Sequence, residues 1–159
     1  MTIPLDIDAP VTAEVFTLVR EGESLVLTGP CGSAPWLIET DRGEHPLDTV
    51  RRIVDDSVAG LLLLHSTSWR HERDSVMLTF VAVVDDPRDM DGVVVARTEL
   101  ARSAATHAPS TIAADQVLEH AIRHLAWLVG TDDVVRSTLD DQWHAILRSY
   151  VPEPFQQLR

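Results

Sequence analysis

The first half of the chain alternates. From Val11 to Arg20, the residues Val11, Ala13, Val15, Thr17 and Val19 fall on every second position, the period of a strand with one apolar face. Glu21-Gly22-Glu23 reads as a turn and Ser24 to Thr28 as a second short strand. Gly29-Pro30-Cys31-Gly32-Ser33 is dense in residues that break regular structure and predicts a loop, and Trp36 to Thr40 predicts a third strand. Then the period changes. Leu47, Val50, Val54 and Val58 recur at helical spacing, Pro46 suits a first helical turn because its missing N–H costs nothing there, and Gly60 is a plausible stop. Asp48 and Asp56 each lie four residues from Arg52 on the polar side of this helix.

Leu61 to Trp69 and Ser75 to Val84 predict two adjacent strands, joined by the polar segment Arg70-His71-Glu72-Arg73-Asp74, and Val93 to Ala96 a further short one. Ala101 to Ala114 reads as loop with some helix. The last third is helical. Val117, Leu118, Ala121, Ile122, Leu125, Leu128 and Val129 form one face of a helix that Gly130 is expected to end. Thr131, ahead of Asp132 and Asp133, reads as the next N-terminal cap. Val135, Leu139, Trp143, Ile146 and Tyr150 line a last helix, with a break expected near Asp140 and Pro152 as its end. Strands, a central helix, more strands and then two C-terminal helices predict an α/β (α+β) fold, a mixed β-sheet packed between helices.

Composition adds limits. A chain of 159 residues with 45% hydrophobic and 24% charged positions predicts a single globular domain, 1–159. Cys31 is the one cysteine, so no internal disulfide forms, which suits a reducing compartment. Met1 to Pro10 is acidic and lacks the apolar segment of a signal peptide, and the longest aliphatic run, Ala59 to Leu64, is far too short to span a bilayer. The expectation is a cytoplasmic protein without a membrane partner. A formal net charge of -12 repels phosphate backbones, which argues against nucleic acid.

The segment Gly43-Glu44-His45-Pro46, continued by Arg52, Ile53, Val54, Asp55, Asp56, Ser57, Val58, Ala59 and Gly60, carries the one motif of note. It resembles a Nudix box, G-x5-E-x7-R-E-U-x-E-E-x-G-U with U aliphatic. Glu44 falls on the first glutamate, Arg52 on the arginine, Val54 on the aliphatic position and Asp56 on the first residue of the acidic pair. The resemblance extends over roughly Trp36 to Asp85 and implies an α/β/α sandwich with Glu44, Arg52 and Asp56 at its site. It also implies an ancestral chemistry in which Mg²⁺ ions held by glutamates activate hydrolysis of nucleoside diphosphate derivatives. The departures matter as much. Ile53 stands in place of the glutamate after the arginine, Ser57 in place of the second acidic residue, Ile38 in place of the leading glycine and Ala59 in place of the closing one. The expectation is a degenerate, non-catalytic member without a metal, binding a small molecule or a protein. One alternative is an Mg²⁺-dependent hydrolase with a rearranged site built on Glu44, Asp56 and a carboxylate such as Glu72, Asp74 or Glu99. The other is an unrelated α/β interaction module.

Four further features have both a functional and a plain reading. Arg70, His71 and Arg73 form a basic patch, and with Trp69 to stack on a base they are candidates for binding a ligand; Glu72 and Asp74 balance the charge, and a solvated turn beside a core tryptophan is the commoner explanation. His120 and His124, four apart beside Trp127, have the spacing of two metal ligands, but no third ligand is evident and they read as the edge of a packed face. Cys31 reads as a bystander thiol. Trp36, Trp69, Trp127 and Trp143 read as anchors of the core or of an interface, and the apolar flanks of the last helices suggest a homodimer. Neither a P-loop nor a dinucleotide fingerprint is present.

Overall fold

The computed structural model describes residues 10–30, 34–85, 92–96 and 113–154, together with the backbone of 156–157. Cys31, Glu99 and most of the Ala101 to Ala114 segment lie outside the described residues. The elements follow in the order β1 (Val11–Glu21), β2 (Ser24–Thr28), β3 (Trp36–Glu39), α1 (Pro46–Ser57), β4 (Leu61–Glu72), β5 (Ser75–Val84), β6 (Gly92–Val94), α2 (Ala114–Thr131), α3 (Asp133–Thr138), α4 (Asp141–Leu147) and β7 (Gln156–Gln157). Among the described residues the strands form one mixed sheet in the order β6-β2-β1-β5-β4-β7, with β3 also paired to β1.

β1 organises the sheet. Its first half pairs antiparallel with β3, as Thr12 faces Glu39, and its second half pairs antiparallel with β2, as Thr17 faces Thr28. Its other edge pairs parallel with β5 from Val11 opposite Val76 to Leu18 opposite Val83. A strand flanked on both edges is also covered on both faces. Ala13 and Val15 pack with Ile38, Phe80, Val50 and Val54 beneath α1, while Phe16 and Leu18 pack with Val81, Val83 and the helices after the sheet. The alternation of β1 therefore divides two cores, and does not separate a core from solvent as the sequence pattern suggested. The result is three layers: α1, the sheet, and α2 to α4. The α+β fold with a sheet between helices stands.

The joints are set by local chemistry. α1 begins where the His45 ring nitrogen Nδ1 accepts from the Leu47 amide and Pro46 occupies the first turn. It ends at Ser57, short of Gly60, which takes a left-handed φ of 69° on the way into β4. α2 runs through Gly130 to Thr131. The next cap is Asp132, one residue past the expected Thr131: its carboxylate accepts from the amides of Val134 and Val135, whereas the Thr131 hydroxyl donates back to the Trp127 carbonyl. The expected break near Asp140 is real. Leu139 leaves the helix and is buried, and the Asp140 carboxylate caps α4 through the amides of Gln142 and Trp143.

Two register shifts in β4, between Leu61 and Leu63 and between Ser66 and Ser68, have a larger effect. A bulge moves every later side chain to the other face. His65 opposite Val81, and Ser68 and Arg70 opposite Thr79 and Met77, consequently all lie on the α2 side of the sheet.

Candidate functional site

Of the three positions aligned with the Nudix box, the structure joins two. Arg52 Nη2 stands 3.5 Å from Glu44 Oε2, an ion pair between a half-exposed arginine and a partly exposed glutamate. Asp56 is exposed at the far end of α1, and the helix climbs about 15 Å between Pro46 and Asp56 at 1.5 Å per residue.

Positions 53, 56 and 57 share one side of the helix, being three and four residues apart. That side carries one carboxylate. Ile53 is half-buried and packs against the core beneath α1, and the Ser57 hydroxyl donates to the Ile53 carbonyl 2.8 Å away, closing on its own helix. Magnesium takes several hard oxygens in a near-octahedral set, and these three side chains do not fit it. Among the described residues no three His, Cys, Asp or Glu side chains come together as a metal site.

The candidate basic patch is dispersed. β4 continues through Arg70 and His71 to Glu72, so the hairpin turn is reduced to Arg73 and Asp74, with Arg73 at a left-handed φ of 56°. Trp69 and Arg70 are neighbours on a strand and point to opposite faces. Trp69 meets the His71 ring edge-on at 5.4 Å on the α1 side. Arg70 turns to the α2 side and is taken up there. Its Nη2 donates to Glu14 Oε2 at 3.1 Å and to Glu72 Oε2 at 3.3 Å, and its Nη1 donates to Glu14 Oε1. The Thr79 hydroxyl donates to the same Glu14 oxygen at 2.6 Å. Burial pulls the guanidinium pKa down, but the hydrogen bonds and charge of Glu14, then Glu72, outweigh it and raise the pKa above the ordinary arginine value. Arg70 is thus committed to a buried partner and is not offered to a phosphate. Arg73 remains exposed at the turn, separate from both.

The histidine pair lies deeper than an edge. His120 and His124 are each about 1% exposed, and Glu119 beside them is 2% exposed. His120 Nδ1 is 3.0 Å from Glu153 Oε2, and His124 Nδ1 donates to the Glu153 carbonyl at 3.0 Å. Arg123 reaches Glu119 at 3.3 Å and Glu153 at 3.5 Å. The His124 ring stacks on Trp127 and meets the His65 ring of β4, with centroids 5.5 Å and 5.7 Å apart. Burial, then the charges of His65 and His120, hold the His124 pKa below the ordinary histidine value, against the hydrogen bonds to the Glu153 and Pro154 carbonyls.

Glu14, His65 and Glu153 were not singled out by the sequence. Glu14 does carry a signal: an acidic residue amid the apolar run of a strand implies a buried cation opposite it. His65 and Glu153 carry none, because their partners come from distant elements.

Among the described residues no helix is long and apolar enough to cross a membrane. No protein-family model matches this chain, and no curated protein matches it.

Proposed function

We propose that the chain is a Nudix-like domain with a degraded metal site, a protein that binds a ligand or a partner without hydrolysing it. One observation carries the reading: the side of α1 that would gather carboxylates presents Ile53, Asp56 and Ser57, with the isoleucine turned into the core and the serine bonded to its own helix. A lone exposed aspartate holds a divalent cation weakly, and without a clustered cation no diphosphate is polarised for attack. The pairing of Glu44 with Arg52 supports the resemblance, since it ties the loop before α1 to the middle of the helix. The placement of α1 between β3 and β4, packed on one face of a mixed sheet, supports it as well. The ligand class that follows from the resemblance is a nucleoside diphosphate derivative, bound and not turned over.

Titration with Mg²⁺ and Mn²⁺ by calorimetry, followed by a hydrolysis assay over nucleotide sugars and dinucleotides, tests this. The expected result is no saturable metal binding and no phosphate or nucleotide release, with at least one of these compounds raising the melting temperature. Metal-dependent turnover that disappears in Asp56→Ala would instead establish a hydrolase.

A further inference from the structure

The helical layer, across the sheet from α1, contains a cleft where α2 ends and α4 packs back against it. Its volume is about 380 Å³, within the range of small-molecule sites. Ala126, Val129, Leu147 and Pro152 give it apolar walls. Its charged lining is cationic, formed by Arg136, His144 and Arg148, with no carboxylate among the described lining residues. On a chain with 25 acidic and 13 basic residues, this reverses the prevailing sign. Asp133 and Asp141 reach Arg136 and His144 from outside the cleft, with side chains that are almost wholly exposed.

The three cations differ in what they already hold. Arg136 ties α2 to α3: its Nε donates to the Val129 carbonyl, its Nη2 to the Gly130 carbonyl and its Nη1 to Asp133, each at 2.9 Å. Three of its five N–H groups are used and two remain. His144 Nε2 donates to the Arg136 carbonyl at 3.0 Å. Arg148 is exposed at the end of α4, and among the described residues its guanidinium has no hydrogen-bond or ion-pair partner.

Gly130 is a separate observation at the same place. It lies within α2, which runs on to Thr131, and it does not take a positive φ, so no turn requires a glycine there. A Cβ at this position would meet nothing within 4 Å, so packing does not require one either. Glycine in a helix is destabilising relative to alanine. Its effect here is to leave the cleft open down to the α2 backbone, which suits close approach of a ligand. Both α2 and α4 end at this cleft, and the partial negative charge of a helix C-terminus disfavours a doubly charged guest. A singly charged head on an apolar body fits both the cations and the walls.

We propose that this cleft binds a small organic acid, with its carboxylate on Arg148 and the spare N–H groups of Arg136 and its hydrocarbon part between Val129 and Leu147 over Gly130. The site is distinct from α1 and does not depend on the Nudix-like reading. Titration of the full chain with hexanoate, and with hexanol as the uncharged control, followed by amide NMR, tests it. Hexanoate is expected to give saturable shifts confined to the lining residues of α2, α3 and α4, and hexanol to bind at least about tenfold more weakly. Arg148→Gln removes the charge at an exposed position, and is expected to weaken hexanoate at least about fivefold without changing hexanol. Gly130→Leu fills the cleft at a position where a side chain suits the helix, and is expected to abolish hexanoate binding with a melting temperature no lower than that of the wild type. Should Gly130→Leu lower the melting temperature, Arg148→Gln decides alone. The absence of saturable shifts, shifts spread over the sheet, equal affinity for acid and alcohol, or unchanged hexanoate affinity in Arg148→Gln or in a stable Gly130→Leu would each overturn the site.

Discussion

Two arginines show how burial decides what a charge is worth. Arg52 and Glu44 face solvent, and an exposed pair of this kind contributes from nothing to about 1 kcal/mol. Arg70 and Glu14 lie against the sheet with side chains 13% and 4% exposed, and each satisfies the other with two hydrogen bonds. Removing one partner strands the other in a dry site, at a cost of about 3–5 kcal/mol. Arg70→Ala is therefore expected to lower the urea midpoint far more than Arg52→Ala, and equal effects from the two would show that the buried pair is not the anchor described. Thr79→Val tests the same network from its neutral side: it removes the hydroxyl donor to Glu14 without altering the shape of the strand, and a loss of about 1–2 kcal/mol is expected by the same denaturation. The sequence displayed Glu14 within a run of apolar residues but gave no means of naming Arg70, 56 positions away, as its partner.

Among the elements, the helical C-terminal third is the clearest case of local chemistry setting structure. The apolar stripe of α2 and the faces of α3 and α4 follow from spacing alone. Even the break between the last two helices was legible, because an aspartate that accepts from the second and third amides beyond it competes with helix continuation. Asp140→Ala is expected to cost about 1 kcal/mol and to lower protection of the α4 amides in hydrogen exchange, with the sheet unaffected. β4 is the opposite case. Its alternation reads in one phase at Leu64 and His65 and in another at Ser68 and Arg70, because the register shift at Ser66 to Ser68 intervenes. A bulge leaves no mark in a hydrophobic pattern, since it depends on how the partner strand pairs. This is why Arg70 read as part of a solvated turn and is found on a strand, facing the α2 layer.

For the molecule as a whole, the buried His124 makes stability depend on pH with a definite sign. The folded pKa of His124 lies below its unfolded value, so the folded state binds its proton less readily than the unfolded chain does. The stabilisation is fully present above the unfolded value, near 6.5, and is lost progressively as pH falls toward the lower folded value. Denaturant unfolding at pH 7.5 and 5.5 is expected to give the lower stability at 5.5, and His124→Asn is expected to reduce the difference. The buried histidines also show where the sequence stops. Period and punctuation determined the order of the main strands and helices, the α+β class, the start of α1 and the two C-terminal helices with a break in the second, because each of these depends on residues within a turn or two of one another. Spacing also placed Glu44 and Arg52 within reach, and composition fixed a strongly acidic surface. Tertiary structure alone decided that β1 divides two cores, that Arg70 is spent on Glu14, that His120 and His124 are interior groups, and that the tail returns to meet them. Those outcomes rest on contacts between residues tens of positions apart, whose pairing is set by the register of the sheet and the exclusion of water from between its layers.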